Sequence, residues 1–204
     1  MFWWLIPASY FLGSVSFSLL LVSFLERQDL RRLGSGNAGA TNVLRVAGKM
    51  PAFLTLLLDV GKGALPILVG LRLGAPATTL SLAALAVVVG HVFPVYHGFQ
   101  GGKGVATAAG ALGMLSPLAL AAAMLVFLLV VAATRYVSLA SILGVATYPV
   151  VLALGVGSRL VDASWWTVAG AVAVALLVVV KHRDNISRLR SGSERSLGEK
   201  GRAE

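Results

Sequence analysis

The sequence predicts an all-α, polytopic integral membrane protein, and three observations lead to this class. Of its 204 residues, 57% are hydrophobic and only 12% are charged. The mean hydropathy is +0.86, well above the range of soluble globular domains. The apolar residues form long runs separated by short polar segments that carry most of the charge. That alternation is typical of helices that cross a bilayer and of the loops that join them.

The apolar runs cover about 2–25, 50–71, 78–96, 105–134, 137–156 and 164–180. The first run lacks a basic segment before it and a convincing cleavage site after it, so we expect a retained span with interfacial Trp3 and Trp4. The run 105–134 is too long for one span, because thirty helical residues measure about 45 Å. Proline disfavours helix at the residue before it, so Ser116-Pro117 predicts a break into two helices, the first of them short.

Charge predicts the orientation of the spans. The loop 26–49 and the segment after residue 180 are both rich in arginine and lysine, which favours the cytoplasmic side for both. This arrangement requires about seven spans, with the N-terminus outside and the C-terminus in the cytoplasm. We therefore expect one membrane-embedded domain over residues 1–190 and a weakly ordered basic tail over 191–204.

The formal net charge is +9, and the basic residues lie in the loops and the tail. We expect them to contact anionic lipid headgroups, and we do not interpret them as a nucleic-acid-binding surface. The chain has no cysteine and three histidines, with few carboxylates near them, so neither a disulfide frame nor a metal site is expected. No cofactor-binding motif is identified either.

The segment GHVFPVYHGFQGGKGVAT, residues 90–107, interrupts the apolar sequence with the polar groups that a phosphate site needs. Glycines such as Gly101, Gly102 and Gly104 let backbone N–H groups face a ligand, and Lys103 adds a positive charge. A helix beginning near Val105 would contribute further donors. The spacing differs from that of a Walker loop. The alternative is a flexible interhelical turn.

The first loop holds a second polar stretch, GSGNAGATNVLRVAGK, residues 34–49. Its hydroxyl, amide and guanidinium groups suit a phosphate or another oxyanion. The candidate ligands are Ser35, Asn37, Thr41, Asn42 and Arg45. A glycine-rich turn capped by Asn and Ser side chains would explain most of these residues without a ligand.

A third polar stretch, KHRDNISRL, follows the last apolar run. His182 and Asn185 lie three residues apart and would share a face if the helix continues. A histidine beside an amide can orient a hydroxyl group or accept its proton. The alternative is a basic membrane anchor that happens to contain a histidine. Asp59 and Lys62, inside the second run, are expected to form an ion pair, and His91 is expected to be a packing histidine.

The three stretches together resemble the bacterial PlsY family of membrane glycerol-3-phosphate acyltransferases, which use acyl phosphate as donor. GSGNAGATNVLR, GHVFPVYHGFQGGKGVAT and KHRDNISRL are similar to its three motifs, in the same order along nearly the whole chain. The resemblance implies transfer of an acyl group from acyl phosphate to the sn-1 hydroxyl of glycerol 3-phosphate, giving lysophosphatidic acid and inorganic phosphate. It also implies a bacterial inner-membrane protein with its site facing the cytoplasm.

Residue roles follow from the same resemblance. Ser35, Arg45 and Lys103 would bind substrate phosphate, and Gly101, Gly102 and neighbouring N–H groups would form a phosphate cradle. His182 and Asn185 would orient the attacking hydroxyl, whose proton goes either to His182 or to substrate phosphate. Membrane lipids surround the enzyme, and a soluble enzyme that makes acyl phosphate is a candidate partner. The sequence leaves two other functions open: a transporter for organic phosphates and a membrane scaffold.

Overall fold

The computed structural model describes residues 1–158 and 163–198, which form a bundle of α-helices. In chain order the helices are α1 (Leu5–Gly13), α2 (Phe17–Glu26), α3 (Ala40–Val46), α4 (Lys49–Arg72), α5 (Ala77–Val92), α6 (Val105–Leu115), α7 (Pro117–Thr134), α8 (Val137–Gly155), α9 (Trp165–Lys181) and α10 (Arg183–Arg190). Two short 3-10 turns, Leu30–Arg32 and Val95–His97, lie in the segments after α2 and α5. The predicted all-α class is confirmed.

Helix α5 lies at the centre of the bundle and contacts α1, α4, α6 and α9. Its buried face consists of small and β-branched residues, among them Ala83, Val87 and Val88. Helices α7 and α8 form an antiparallel pair at one side. Many large apolar side chains on the outer surface, such as Leu125 and Leu129, are exposed, which suits a surface that faces lipid.

Glycines allow the backbones of α4 and α6 to approach each other closely. A Cβ atom at Gly63 would lie 2.1 Å from the carbonyl oxygen of Thr107, and one at Gly110 would lie 2.0 Å from that of Val60. Small residues at a helix–helix contact are a common device in membranes, where packing replaces the hydrophobic driving force. The contact holds the beginning of α6 firmly against α4.

The break predicted at Ser116-Pro117 is present. Helix α6 ends at Leu115 after 11 residues, and α7 begins at Pro117. The side chain of Ser116 caps α7 by accepting a hydrogen bond from the N–H of Ala119 at 3.3 Å. The first apolar run also contains a break, between Gly13 and Phe17, which was not predicted.

Within the described residues, five helical segments are long and apolar enough to cross a membrane, or six if the bent pair α9–α10 counts as one. These five segments are Leu5–Glu26, Lys49–Arg72, Ala77–His97, Pro117–Thr134 and Val137–Gly155. Helix α6 is a shorter apolar helix. The total of seven spans and the orientation of the termini therefore stay predictions.

Candidate active site

The glycine–lysine segment and the C-terminal motif meet through a direct hydrogen bond. The ammonium of Lys103 donates to the side-chain oxygen Oδ1 of Asn185. Lys103 lies just before α6, and Asn185 lies in the first turn of α10. The bond joins two of the three motifs at one end of the bundle.

The first motif reaches the same place through its backbone. A Cβ atom at Gly102 would lie 2.4 Å from the carbonyl oxygen of Ala38, so the two loops are in contact there. A second link is made by Arg31, whose Nη1 donates to the carbonyl oxygen of His97 at 3.1 Å. All three polar stretches are thus brought together, as the sequence predicts.

Asn42 organises the first loop from inside. It is 1% exposed, and its Oδ1 accepts a hydrogen bond from the N–H of Ser35 at 2.8 Å. Its Nδ2 donates to the carbonyl oxygen of Leu33 at 3.0 Å. Both ends of the amide therefore serve the loop, which makes Asn42 a support for Ser35. The sequence predicts Asn42 as a ligand contact, and the structure corrects this prediction: its amide bonds within the loop.

Other predicted residues of the first motif stand at the surface of the site. Ser35 and Arg45 are exposed, and Asn37 and Thr41 are half-buried. Arg45 lies in the last turn of the short helix α3. Its positive charge is close enough to lower the pKa of Lys103. Two cationic side chains from separate motifs are therefore near enough to influence each other electrostatically.

The ammonium of Lys103 has a lowered pKa. Burial lowers the pKa of its ammonium to about 8, and the charges of Arg188 and Arg45 act in the same direction. The negative charge of Glu194 opposes them. A crowded set of cations with a depressed lysine pKa is an environment that an anionic ligand would stabilise.

The N–H groups of Gly101 and Gly102 do not face a ligand. They donate to the carbonyl oxygens of Val92 and His91 at 3.3 and 3.2 Å, respectively, because the loop turns back onto the end of α5. The predicted phosphate cradle therefore needs a correction for these two groups. The beginning of α6 offers other donors, since the first N–H groups of a helix have no intrahelical acceptor. Gly104 makes this start feasible with a φ of +85°.

His182 lies at the bend between α9 and α10, where the helix axis turns by 56°. Its Nδ1 is 2.7 Å from the carbonyl oxygen of Val178. A carbonyl oxygen only accepts, so Nδ1 carries a proton, and Nε2 of the neutral ring is left as an acceptor. The geometry suits a group that receives a proton from a hydroxyl. The helix bends at His182, so the condition under which His182 and Asn185 would share one straight helix face is not met.

Glu194 lies in the segment predicted to be a weakly ordered basic tail, and the sequence did not predict its place in the site. Its Oε1 accepts from Nδ2 of Asn185 at 2.6 Å, and its Oε2 accepts from Nε of Arg188 at 2.8 Å. Hydrogen bonds from these side chains lower the pKa of Glu194 despite its burial, which acts in the opposite direction. No signal in the sequence sets Glu194 apart from Glu199 and Glu204 in the same tail.

The segment beyond Glu194 is also held in place. The N–H of Leu197 donates to the carbonyl oxygen of Arg135 at 2.8 Å, and the Arg135 side chain donates to the carbonyl oxygen of Leu197 at 2.9 Å. The part of the predicted tail up to residue 198 thus contacts the α7–α8 connection. Residues 199–204 lie outside the described part of the chain.

The chemistry available at this end of the bundle is cationic and rich in hydrogen-bond donors. No group of three or more histidine, aspartate and glutamate side chains that could hold a metal ion is found in residues 1–158 and 163–198. The residues present can hold phosphate and place a hydroxyl group beside a histidine.

A family model described as glycerol-3-phosphate acyltransferase matches residues 3–192. A glycerol-3-phosphate acyltransferase of Halalkalibacterium halodurans is 42% identical over 97% of this chain and 96% of its own length. One of Thioalkalivibrio sulfidiphilus is 43% identical over 96% of this chain and 94% of its own.

Solved structures of PlsY, an integral membrane glycerol 3-phosphate acyltransferase, share the fold. Its glycerol 3-phosphate form superposes with a TM-score of 0.86 at 37% identity, covering 96% of this chain and 94% of that one. Its lysophosphatidic acid form gives a TM-score of 0.84 at 35% identity over the same shares. The resemblance drawn from the three motifs is confirmed, and the chain belongs to the glycerol-3-phosphate acyltransferase family of integral membrane enzymes.

Proposed function

We propose that this enzyme transfers a fatty acyl group from acyl phosphate to the sn-1 hydroxyl of glycerol 3-phosphate. The products are 1-acyl-glycerol 3-phosphate, which is lysophosphatidic acid, and inorganic phosphate. The observation that carries the proposal is the hydrogen bond between Lys103 and Asn185. It joins a cation suited to phosphate with the motif that holds His182, so one small substrate could contact both.

Phosphate recognition is assigned to the cationic side of the site. Lys103 and Arg45 come from different motifs, and the influence of Arg45 on the pKa of Lys103 supports their proximity. Ser35, held by Asn42, adds a hydroxyl donor at the surface of the same loop. Arginine and lysine differ in geometry, so a guanidinium and an ammonium together can bind the two phosphates of the two substrates.

The acyl-transfer step needs no nucleophile from the enzyme, because acyl phosphate is an activated mixed anhydride. The sn-1 oxygen attacks the acyl carbon, the carbon–oxygen bond to phosphate breaks, and phosphate leaves with the bonding electrons. The hydroxyl proton goes to Nε2 of His182 or to substrate phosphate. Positioning of the hydroxyl and neutralisation of the leaving phosphate supply the acceleration.

An apolar cavity beside the site offers space for the acyl chain. It is a partly open apolar pocket between α6, α7 and α8. Its lining begins at Val105, the residue after Gly104, and includes Ala109, Phe127 and Tyr148. Tyr148 is buried, and its hydroxyl donates to the carbonyl oxygen of Leu112 at 2.6 Å, so two lining residues from α8 and α6 are fixed to each other.

The orientation in the membrane is part of the proposal. The basic loop 26–49 and the basic segment after residue 180 favour the cytoplasmic side of a bacterial inner membrane, with about seven crossings. At that surface the site could receive glycerol 3-phosphate from the cytoplasm and the acyl chain from the bilayer. A soluble enzyme that makes acyl phosphate would deliver the donor there.

One assay tests the reaction directly. Protein purified in detergent is given palmitoyl phosphate with and without glycerol 3-phosphate, and released inorganic phosphate and the acyl product are measured. Phosphate release that depends on glycerol 3-phosphate, with a product acylated at sn-1, is expected. Equal turnover with palmitoyl-CoA, or acylation at sn-2, would contradict the donor or the position proposed here. Labelling of single cysteines at positions 45 and 103 in intact membrane vesicles tests the orientation.

A further inference from the structure

Helix α4 buries an ion pair inside the bundle. The ammonium of Lys62 lies 3.0 Å from Oδ1 of Asp59, and the two side chains are 1% and 2% exposed. Burying two charges is expensive, and replacing such a pair with apolar side chains of similar volume is often neutral or stabilising. The attraction between the two charges is therefore a weak reason for the pair. Ionisable residues inside a membrane commonly serve a function.

Lys62 also contacts the break in the first apolar run. Its ammonium donates to the carbonyl oxygen of Val15 at 2.7 Å. Val15 lies between α1 and α2, where the helical hydrogen-bond pattern is interrupted. An unpaired carbonyl oxygen is costly in hydrocarbon, and Lys62 satisfies it. The ammonium of Lys62 thus contacts both the Val15 carbonyl oxygen and the Asp59 carboxylate, and it restrains the position of that carboxylate.

Asp59 faces the imidazole of His91 near the end of α5. Its Oδ1 lies 3.7 Å from Nδ1 of His91, which is 6% exposed; this distance is beyond that of a hydrogen bond, so the contact is electrostatic. The opposite ring nitrogen, Nε2, faces the glycine–lysine loop, because a Cβ atom at Gly102 would lie only 2.3 Å from it. The carbonyl oxygen of His91 also accepts the N–H of Gly102 at 3.2 Å. One histidine therefore holds Gly102 by its ring and by its backbone.

The loop around Lys103 needs such external support. Gly101, Gly102 and Gly104 flank the lysine, and glycine backbones have little conformational preference of their own. The contacts with the end of α5 contribute to the path of the loop, beside those with Ala38 and Asn185. A displacement of about 1 Å of a substrate-binding group can reduce a rate by about 100-fold.

We propose that His91, oriented by the Asp59–Lys62 pair, is a positioning residue that sets the place of Lys103. This role rests on the phosphate contact proposed above for Lys103. It gives the intramembrane pair a purpose in the binding of glycerol 3-phosphate. His91 itself touches no substrate and acts through Gly102.

The first test compares His91→Gln, His91→Asn and His91→Leu in detergent-purified protein. Glutamine can place its amide nitrogen near the position of Nε2, over Gly102, whereas asparagine reaches only the position of Nδ1. Binding of glycerol 3-phosphate is measured by calorimetry, which requires no turnover. The Kd should stay within about 3-fold in His91→Gln and rise about 10-fold in His91→Asn and His91→Leu. Equal Kd values in all three variants would overturn the proposal.

The matched control is Thr79→Val, which alters another buried polar residue of α5 at its far end. It should leave the Kd unchanged. If Thr79→Val weakens binding as much as His91→Asn does, the effect comes from a loosened helix, and the positioning role is wrong. Unfolding temperatures of all variants are measured alongside to compare their folding.

Two further variants test whether His91 affects the binding of glycerol 3-phosphate through Lys103 or in another way. Asp59→Asn combined with Lys62→Met removes both charges without leaving one unpaired, and it should raise the Kd as His91→Asn does. In a Lys103→Ala background, His91→Asn should produce no additional loss of binding. If His91→Asn raises the Kd in the Lys103→Ala background as much as it does in the native protein, His91 does not act through Lys103. Unchanged binding in Lys103→Ala alone would instead show that the proposed phosphate role of Lys103 has failed, and this positioning role would fail with it.

Discussion

Lys103 donates a hydrogen bond to Asn185, a residue 82 positions further along the chain, and this contact closes the candidate active site. The amide of Asn185 is bound at both ends, since its Nδ2 donates to Glu194 at 2.6 Å. A lysine, an amide and a carboxylate from two distant segments thus form one chain of hydrogen bonds. Such a chain restricts each member more than a single contact would.

Replacement of Lys103 by methionine tests the cation of this chain. The variant keeps most of the buried side-chain stem and removes the charge that would bind phosphate. We expect a loss of kcat/KM on the order of 100-fold or more, the size seen when one electrostatic stabiliser of a transition state is removed. Arg45→Ala should also abolish most turnover. Arg72→Ala should not, because Arg72 is the last residue of α4, whereas Arg45 lies just before the first residue of that helix. Near-normal turnover in Lys103→Met would contradict the assignment.

The pH dependence follows from the depressed pKa of Lys103. Burial lowers this pKa to about 8, so the free enzyme loses the positive charge as the pH rises through that value. kcat/KM for glycerol 3-phosphate should therefore fall above pH 8, because kcat/KM reports the protonation state of the free enzyme. Lys103→Arg should lose this alkaline limb even if its plateau is lower, since a guanidinium stays charged. If the native enzyme and Lys103→Arg show the same decrease above pH 8, that decrease belongs to another titrating group.

The sequence was sufficient for the fold class and for the three motifs, because apolar runs and glycine-rich polar stretches are local signals. The break at Ser116-Pro117 was predictable from proline chemistry alone. The break at Val15 was not, because the residue that satisfies its carbonyl oxygen, Lys62, lies 47 positions away. The same reason hid Glu194, whose partners Asn185 and Arg188 become visible only when the chain after α10 folds back.

Other differences arise where a local pattern has two structural solutions. Gly101 and Gly102 could turn their N–H groups toward a ligand or toward the end of α5, and their hydrogen bonds to the carbonyl oxygens of Val92 and His91 show the latter. Asn42 could bind a ligand or organise its own loop. Its burial and its bond to the N–H of Ser35 decide for the loop. In both cases tertiary contacts selected between conformations that the sequence allows equally.

Glu194 links the C-terminal segment to stability at acid pH. Hydrogen bonds from Asn185 and Arg188 outweigh burial and hold its pKa below the ordinary value of 4.5. A carboxyl with a lowered folded-state pKa contributes stability that is present above its unfolded pKa and is lost as the pH falls through the folded one. The unfolding temperature should therefore drop below pH 4.5 more steeply in the native enzyme than in Glu194→Gln. If the unfolding temperatures of the two proteins fall in parallel with pH, ionised Glu194 contributes no stability.

Acyl-chain selection tests the cavity between α6, α7 and α8. Ala109 lines it at a half-buried position, so Ala109→Leu would place three additional carbon atoms in the space assigned to the chain. Each methylene that can no longer be buried weakens binding by about 0.8 kcal/mol. The variant should therefore lose activity with palmitoyl phosphate while retaining it with a shorter acyl phosphate.

The control for the cavity is Ala121→Leu, which makes the same change on the exposed face of α7 and should leave the chain-length profile unaltered. The profile is measured as kcat/KM over a series of saturated acyl phosphates, with glycerol 3-phosphate saturating. A uniform decrease across the series in Ala109→Leu would mean that the substitution disturbs the helix contact and not an acyl site. An unchanged profile would place the acyl chain elsewhere, most simply on the lipid-facing surface of the bundle.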